Sequence, residues 1–446
     1  MGMKRMGLCF AVALVLVSAE GLASDRGDTL PKGVQPAAEG RSTTRPPVPL
    51  EFPGHATLFE CQTWAEAYNP ELAAAAERIR AVRERIPQAR SLPDPQLGYT
   101  IEDMRISGDM FRHRVDVSQM FPWFGKRGLM EEEARAESDI AERMYEQTRL
   151  KIRSMVAETY AEYAYLTRTV SVTEESLNLL STLESVIRTA YAAGKEPQSS
   201  VIRAQVELGM LEEQLQSARD TLAPAAAKLN AVLNRPPDSP LPRPDGLPEE
   251  EITLSDEELM NRLREQNPDL QAMELETRKE GVAVKLAEKQ RYPDVMLGIG
   301  AGNTGMSMSG SYSVMGMISV NLPVRGARNR AAVNEADSRR LSVGHDRAGR
   351  GNELAAELKS ALFSWRDANR KIRLYRDALI PKARQALGVS QRAFEAGKAD
   401  FLDLIDSQRT LLELELALER SLADRVLWRA RIAELTGSES LDGSRP

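Results

Sequence analysis

Methionine is the residue whose placement in this sequence first suggests chemistry, because thioether sulfur atoms bind Cu(I). The methionines concentrate in two stretches: Met104, Met110, Met120, Met296, Met306, Met308, Met315 and Met317. Such a set would suit a protein that exports copper or silver. Methionine also fills irregular apolar surfaces without binding metal, and this simpler interpretation predicts no resident metal ion.

Other motifs lack the context that their chemistry requires. The stretch Gly300 to Gly305 has the G-x-G-x-x-G spacing of dinucleotide-binding loops, but the residues after it predict a strand instead of the helix that such a loop needs. The histidines His55, His113 and His345 are far apart and share no zinc-ligand spacing. No G-x-S-x-G nucleophile motif is present. We therefore expect neither an enzyme nor a protein with a cofactor.

The composition favours long amphipathic helices over several thick hydrophobic cores. Charged residues make up 28% of the 446-residue chain and aromatic residues only 5%, which suits helices that each bury a narrow apolar stripe. The formal net charge of -6 argues against a nucleic-acid-binding protein, in which basic residues are in excess.

The N-terminus predicts a secretory signal peptide over residues 1–23. Two basic residues precede an apolar run from Leu8 to Val17, and small residues follow up to a cleavage site before Ser24. The run is shorter than the roughly 20 residues of a membrane-spanning helix; a retained membrane anchor is the alternative. Removal of the signal would leave Cys61 as the single cysteine, so we expect no intrachain disulfide.

The sequence contains an internal duplication with a period near 200 residues, which indicates a repeated structural unit. Four landmarks recur in the same order: Asn69-Pro70 as Asn267-Pro268, Pro93-Asp94 as Pro293-Asp294, Phe121-Pro122 as Leu322-Pro323, and Ala193-Gly194-Lys195 as Ala396-Gly397-Lys398. The remaining boundaries follow from composition: residues 24–60 an extended tail, 61–234 the first repeat, 235–254 a proline-rich linker, 255–437 the second repeat, and 438–446 a C-terminal tail.

Each repeat predicts a short helix, a pair of strands and a long helical hairpin. The first has a helix from Pro70 with a kink at Pro87, strands at 96–107 and 111–121, and helices at about 129–192 and 199–233. The second has strands at 294–306 and 311–322, and helices at about 328–396 and 401–435, with breaks expected at Gly344, Gly349, Gly351 and Pro381. The longest helix would measure about 95 Å.

The strands have the length of tilted membrane-spanning β-strands, which is roughly 10 residues. Arg112, Arg114 and Asp116 alternate with His113, Val115 and Val117, so the charged side chains would share one wet face of a sheet. Four strands cannot close a barrel, since closed barrels need about eight, and an open sheet edge cannot face lipid. Several copies must therefore pool their strands, and three copies would supply twelve.

The segment Gln119 to Arg127 resembles the strand-to-helix junction of the TolC-like outer-membrane efflux proteins. The Asn-Pro-Glu-Leu helix start, the Leu-Pro-Asp-Pro break and the Ala-Gly-Lys turns resemble the same family, over roughly residues 60–437. The resemblance implies a homotrimer in the outer membrane. Its shared twelve-stranded β-barrel would continue as an α-barrel through the periplasm, where the helical tips meet an adaptor and an inner-membrane pump.

The resemblance also implies site residues at the tips. Gly194 and Gly397 match the tip glycines that contact the adaptor, and Lys195 and Lys398 stand where the family often has an apolar residue. The pair Asp403 and Asp406 matches carboxylates that line the periplasmic constriction in some members. Three copies would place six carboxylates around one opening, which would favour cations. The alternative is that this pair is simply solvated, since residues three apart share a helix face in either case.

A second function class remains open at this point. A periplasmic coiled-coil scaffold or adaptor without a membrane barrel would account for the long helices. It would leave the two pairs of strands at matched positions without a role.

Overall fold

The computed structural model describes residues 57–103, 111–303, 312–438 and 440–441. In the first repeat, helices α1 to α3 are Leu58–Tyr68, Pro70–Arg83 and Arg85–Arg90, strands β1 and β2 are Gln96–Asp103 and Phe111–Phe121, and helices α4 and α5 are Lys126–Ala192 and Gln198–Val232. The turns predicted between the paired strands lie outside the described residues. None of the helices in these ranges is both long enough and apolar enough to cross a membrane.

The second repeat has the same order of elements. Helices α6 and α7 are Asp256–Gln266 and Pro268–Lys289, strands β3 and β4 are Val295–Asn303 and Tyr312–Val320, helix α8 is Gly326–Arg373, and helices α9 and α10 are Ile380–Glu395 and Phe401–Thr436. A π-helical turn, Leu374–Leu379, joins α8 to α9. The prediction of a duplicated, mainly helical chain is therefore confirmed.

Matching caps begin the short helices of both repeats. Asn69 accepts a hydrogen bond from the Glu71 N–H at 2.8 Å, and Asn267 accepts one from the Leu270 N–H at 3.1 Å. In each case proline fills the first helical position, where its missing N–H costs nothing. The amide groups of these two asparagines also donate to main-chain carbonyls at the ends of α5 and α10. In each repeat the start of the second helix is thus tied to the end of the last helix.

Prolines alter the helices at the predicted positions, whereas the glycines of α8 do not. Helix α2 ends at Arg83, four residues before Pro87, because a proline ring clashes with the carbonyl four positions earlier. At Pro381 the chain is not interrupted: the helix changes to a π-helical turn just before the proline and continues as α9. The breaks predicted at Gly344, Gly349 and Gly351 are wrong, since α8 is continuous through all three.

Packing of α8 against α7 explains why those glycines do not interrupt the helix. Arg350 donates to Asp269 at 2.8 Å and Arg347 donates to Glu274 at 3.3 Å, so ion pairs to α7 flank the glycine-containing turns. A glycine costs a helix only about 1 kcal/mol relative to alanine. The packing of α8 along α7, with these ion pairs, accompanies an unbroken helix through all three glycines.

The C-terminus of α10 lies against the C-terminus of α6 at Gly437. This residue has φ +68°, and a β-carbon there would lie 2.3 Å from the Gln266 carbonyl oxygen. We expect Gly437→Ala to destabilise the protein by about 2–5 kcal/mol through backbone strain and overpacking. Gly194→Ala is the matched control, because Gly194 has φ +69° with no atom within 4 Å of the added carbon; it should cost about 1 kcal/mol. Denaturant titration followed by circular dichroism measures both, and equal losses would contradict the steric argument.

Candidate functional site

The tips of the two long hairpins have the same backbone structure. The Lys195 N–H donates to the Ala190 carbonyl at 2.9 Å and the Lys398 N–H donates to the Ala393 carbonyl at 2.8 Å, while Gly194 and Gly397 have φ +69° and +66°. This hydrogen-bond pattern is the Schellman motif, which needs a left-handed residue that glycine adopts without strain. The predicted glycine breaks are confirmed, and both lysines are exposed.

The two tips pack side by side. Leu183 and Ile187 of α4 form one buried cluster with Phe401, Leu404 and Ile405 of α10. The structure therefore brings Gly194, Lys195, Gly397 and Lys398 to the same end of the molecule, although the two pairs are about 200 residues apart in sequence.

Asp403 and Asp406 lie in the first turns of α10 and are both exposed. They form one wall of a groove whose other wall is the small-residue face of α9, which includes Ala383 and Ala386. Within the described part of the chain, neither carboxylate takes part in an ion pair. These side chains are free to interact with solvent, with ions or with a second copy of the chain.

The four strands form one antiparallel sheet in the order β1-β2-β3-β4. One face is apolar and exposed, with Leu97, Tyr99, Ile101, Val115, Val117, Leu297, Ile299, Val314, Ile318 and Val320. Arg114, Asp116 and Ser118 point to the opposite face, as the predicted alternation requires. A sheet with one exposed apolar face is expected where that face meets lipid.

The opposite face of the sheet holds Asp116 between two glycines. A β-carbon at Gly98 would lie 2.7 Å from Asp116 Oδ2, and one at Gly300 would lie 3.1 Å from Asp116 Cβ. The methionines Met120, Met296, Met315 and Met317 share this face by strand register; the others in the two stretches lie outside the described residues. No group of three histidine, cysteine or carboxylate side chains suited to a metal ion occurs among the described residues.

The junction between strands and helices joins the two repeats through a charged contact that the sequence did not reveal. Lys126 Nζ lies 2.8 Å from Asp294 Oδ1, the Trp123 N–H donates to the same oxygen at 2.7 Å, and the Trp123 and Tyr292 rings stack at 5.5 Å. Burial alone would raise the pKa of Asp294, but the hydrogen bonds from Lys126 and Trp123 outweigh burial and lower it. Asp94 of the first repeat recurs as Asp294 in the second. This recurrence is the feature of the sequence that could have singled out Asp294 as a structural residue.

A family comparison accounts for both repeats. The model of the family described as "Outer membrane efflux protein" matches residues 64–235 and 259–438. The chain belongs to the outer membrane efflux protein family. The predicted location in the outer membrane, extending into the periplasm, and the predicted role as an efflux exit duct are thereby confirmed. The alternative of a periplasmic scaffold without a membrane part is set aside.

Individual efflux proteins are similar along most of the chain. The cobalt-zinc-cadmium resistance protein CzcC of Cupriavidus metallidurans is 26% identical over 398 residues, which covers 83% of this chain and 87% of CzcC. The outer membrane protein VceC of Vibrio cholerae shares the fold with a TM-score of 0.72 at 21% identity, over 85% of this chain and 96% of VceC. The open-state MtrE outer membrane channel of Neisseria gonorrhoeae shares it with a TM-score of 0.73 at 17% identity, over 87% and 91%.

Proposed function

We propose that three copies of this efflux protein form one passive exit duct, closed by shared strands in the outer membrane and by helical hairpins in the periplasm. The observation that carries the proposal is the four-stranded sheet. Its outer strands β1 and β4 each have one edge without a strand partner within the described residues. An unpaired edge is not tolerated in lipid, and twelve pooled strands lie within the range of membrane barrels.

The duplication predicts the register in which β4 of one copy would pair with β1 of the next. Strand β1 is equivalent to β3 at an offset of 200 positions, and β2 is equivalent to β4 at an offset of 201 positions. Within the chain, Val117 of β2 faces Ile299 of β3. The equivalent contact between copies places Ile318 of one copy opposite Tyr99 of the next.

The helical tips are the proposed contact with a periplasmic adaptor, through which an inner-membrane pump opens the duct. Lys195 and Lys398 add positive charge around Gly194 and Gly397, so the adaptor surface that they meet should be acidic. We expect Lys195→Glu with Lys398→Glu to lower at least tenfold the amount of adaptor that is cross-linked to this protein in intact cells. Lys359→Glu changes an exposed lysine of α8 and should leave that amount unchanged; equal recovery from both variants would place the adaptor contact elsewhere.

Asp403 and Asp406 are the proposed lining of the periplasmic constriction. Three copies would contribute six carboxylates, and a ring of carboxylates favours cations over anions in a narrow pore. The exposure of both side chains and the absence of an ion pair within the described residues support this assignment.

Divalent metal cations are the proposed cargo class. The support is the similarity to a cobalt-zinc-cadmium resistance protein over 83% of this chain, together with the acidic pair at the tips. The experiment is elemental analysis of cells that lack this protein and of cells in which it is restored. We expect cobalt, zinc and cadmium to accumulate severalfold without it, and copper and silver to stay unchanged. A rise confined to copper or silver would favour the methionine face, and no change in any metal would exclude metals as cargo.

A further inference from the structure

The junction between the sheet and the long helices is strongly basic, although the chain as a whole is acidic. Four segments of eight residues meet there, in two pairs at the repeat offset of 200 positions: 85–92 with 285–292, and 125–132 with 325–332. Together they contain ten lysine and arginine residues and three glutamates, a net charge of +7, whereas the net charge of the whole chain is -6. A concentration of one sign of charge at one level of the molecule favours a partner of opposite charge.

Most of these cations are not neutralised by carboxylates of the chain. Arg85 pairs with Glu137 and Lys126 pairs with Asp294. The others take part in no ion pair within the residues that the structure describes: Arg90, Arg127, Lys285, Lys289, Arg291, Arg325, Arg328 and Arg330. Earlier in α7, by contrast, the cations are paired, since Arg278 contacts Glu274 and Lys279 contacts Glu276. The unpaired cations of α7 therefore collect at the end of the helix that meets the sheet.

A cavity of about 660 Å³ opens in this junction between the first turns of α4 and the last turns of α7. Its volume is within the range of ligand pockets, about 300–1,000 Å³. Lys285, Lys289 and Arg291 line one side. Gly125 and Gly128 line the other: a β-carbon at Gly128 would meet no atom within 4 Å, and one at Gly125 would lie 3.9 Å from Lys289 Cε. Backbone without side chains thus leaves room beside the three cations.

Tyr292 holds two of these cations in place without neutralising them. Lys289 Nζ and the guanidinium carbon of Arg291 each lie 5.4 Å from the centre of the Tyr292 ring. The ring is itself fixed by Trp123, which stacks on it at 5.5 Å. A cation over an aromatic face is attracted to the ring and keeps its full charge, so both side chains stay available to an anion.

The charge of the cavity matches an anion with a single negative charge. Two carboxylates, Glu132 and Glu288, share the lining with the three cations, which leaves a net charge of +1. A phosphodiester carries one negative charge, because both of its ester oxygens are substituted. A phosphate with a free second ionisation carries about -1.5 to -2 at neutral pH and would be less well matched.

Exposed apolar side chains lie next to the cavity, at the level where the sheet ends. Phe124 directly precedes the glycine wall and is 84% exposed, and Leu322 and Val324 of the second repeat are 73% and 83% exposed. Aromatic and apolar residues at such a level are typical of the boundary between lipid and water. Because the helices extend into the periplasm, this boundary is that of the periplasmic leaflet. A ligand here would combine an anionic group with apolar chains.

We propose that this cavity binds the phosphodiester headgroup of an acidic phospholipid from the periplasmic leaflet. Lys285, Lys289 and Arg291 hold the phosphate, the glycine wall admits it, and the acyl chains extend over the exposed apolar residues towards the sheet. The remaining cations of the junction attract further headgroups, since each basic side chain near an anionic lipid surface adds to binding. The cavity lies within one chain, so the inference is independent of the number of copies in the duct.

Native mass spectrometry of the detergent-solubilised mature protein tests the site, because it counts bound lipids and gives an affinity for each. The probes are phosphatidylglycerol and phosphatidylcholine with the same acyl chains; both contain a phosphodiester, but the choline cancels its charge. We expect phosphatidylglycerol to bind about tenfold more tightly. The variant Lys285→Gln with Lys289→Gln and Arg291→Gln should reduce this preference to less than about twofold. Equal affinities of the wild type for the two lipids would overturn the inference.

Two further variants separate the site from net charge and from misfolding. Lys151→Gln with Lys359→Gln and Lys382→Gln removes the same charge from exposed positions outside the junction and should keep the preference. Lys285→Arg with Lys289→Arg and Arg291→Lys conserves the charge of the cavity and should also keep it. An equal loss in the variant outside the junction, or an unchanged preference in the glutamine variant of the cavity, would overturn the assignment to this cavity.

Competition distinguishes a lipid from a free anion. Inorganic phosphate and glycerophosphoglycerol, which is the same headgroup without acyl chains, are added at the concentration of the lipid. Neither should displace phosphatidylglycerol, because the apolar residues beside the cavity contribute to binding only when acyl chains are present. Displacement by either soluble compound at that concentration would show that the cavity is a site for free anions and would overturn the lipid proposal.

Discussion

Replacing Asp403 and Asp406 by asparagine is expected to lower the preference of the duct for cations over anions by about tenfold in planar bilayer recordings. The variant removes two negative charges from each copy without changing side-chain size. One carboxylate about 4 Å from an ion contributes about 1 kcal/mol in water, and six carboxylates around one opening act together. The leak of the resting duct should also rise if the ring helps to keep the tips closed.

Asp238→Asn with Asp346→Asn is the matched control for this variant. It removes two exposed aspartates per copy that lie outside the tips and outside the helix that carries the acidic pair. Its selectivity should equal that of the wild type. A change of selectivity in the variant of Asp403 and Asp406 would then depend on the position of the removed charges and not on net charge. The effect at the constriction should shrink in concentrated salt, where charges are screened within about 3 Å at 1 M. Unchanged conductance and selectivity would show that Asp403 and Asp406 are ordinary solvated residues.

Loss of the contact between Lys126 and Asp294 is expected to destabilise the protein strongly. The Lys126 side chain is 9% exposed and the Asp294 side chain 22% exposed, and removal of one partner leaves a poorly solvated charge. We expect Lys126→Met to lower the free energy of unfolding by about 3 kcal/mol. Glu77→Gln removes the exposed pair with Arg80 and should cost at most about 1 kcal/mol. Denaturant titration of the extracted protein compares the two, and similar losses would mean that the junction adds no special stability.

The same junction predicts a pH dependence. Since the folded protein lowers the pKa of Asp294 below its ordinary value of 3.8, the stabilisation is fully present above that value. It is lost as the pH falls through the lower pKa of the folded state. The variant Asp294→Asn should be less stable than the wild type at neutral pH, and its deficit should narrow below about pH 3.8. A deficit that stays constant in acid would indicate packing as its cause.

Local signals in the sequence predicted most of the elements of the fold. Asn69-Pro70 begins a helix because the asparagine caps it and the proline needs no hydrogen bond there. Gly194 and Gly397 end helices because they adopt a left-handed backbone that other residues avoid. Each of these effects depends on a few neighbouring residues, and the duplication repeats each signal at a second position. The family resemblance therefore rested on several matched landmarks in one order.

Contacts between distant residues could not be predicted in the same way. The pairing of Lys126 with Asp294 joins residues 168 positions apart, and the close approach of Gly437 to Gln266 depends on how two helix ends meet. The glycines of α8 were expected to break the helix because glycine has a low helix propensity. The ion pairs from Arg347 and Arg350 to α7 involve distant residues and could not be predicted from the local sequence. The roles of Asp403 and Asp406 depend on other copies of the chain and remain proposals.

Cross-linking of Tyr99→Cys with Ile318→Cys in outer membranes of intact cells tests the shared barrel most directly. Both positions lie on the exposed apolar face, at opposite edges of the sheet of one chain, so a disulfide between them must join copies. Tyr99→Cys with Met317→Cys is the control, since one step along β4 moves the side chain to the other face. The account predicts disulfide-linked bands of two and three copies for the first pair and none for the control. Single chains alone from the first pair, or equal linking of both pairs, would contradict a barrel built from three copies in this register.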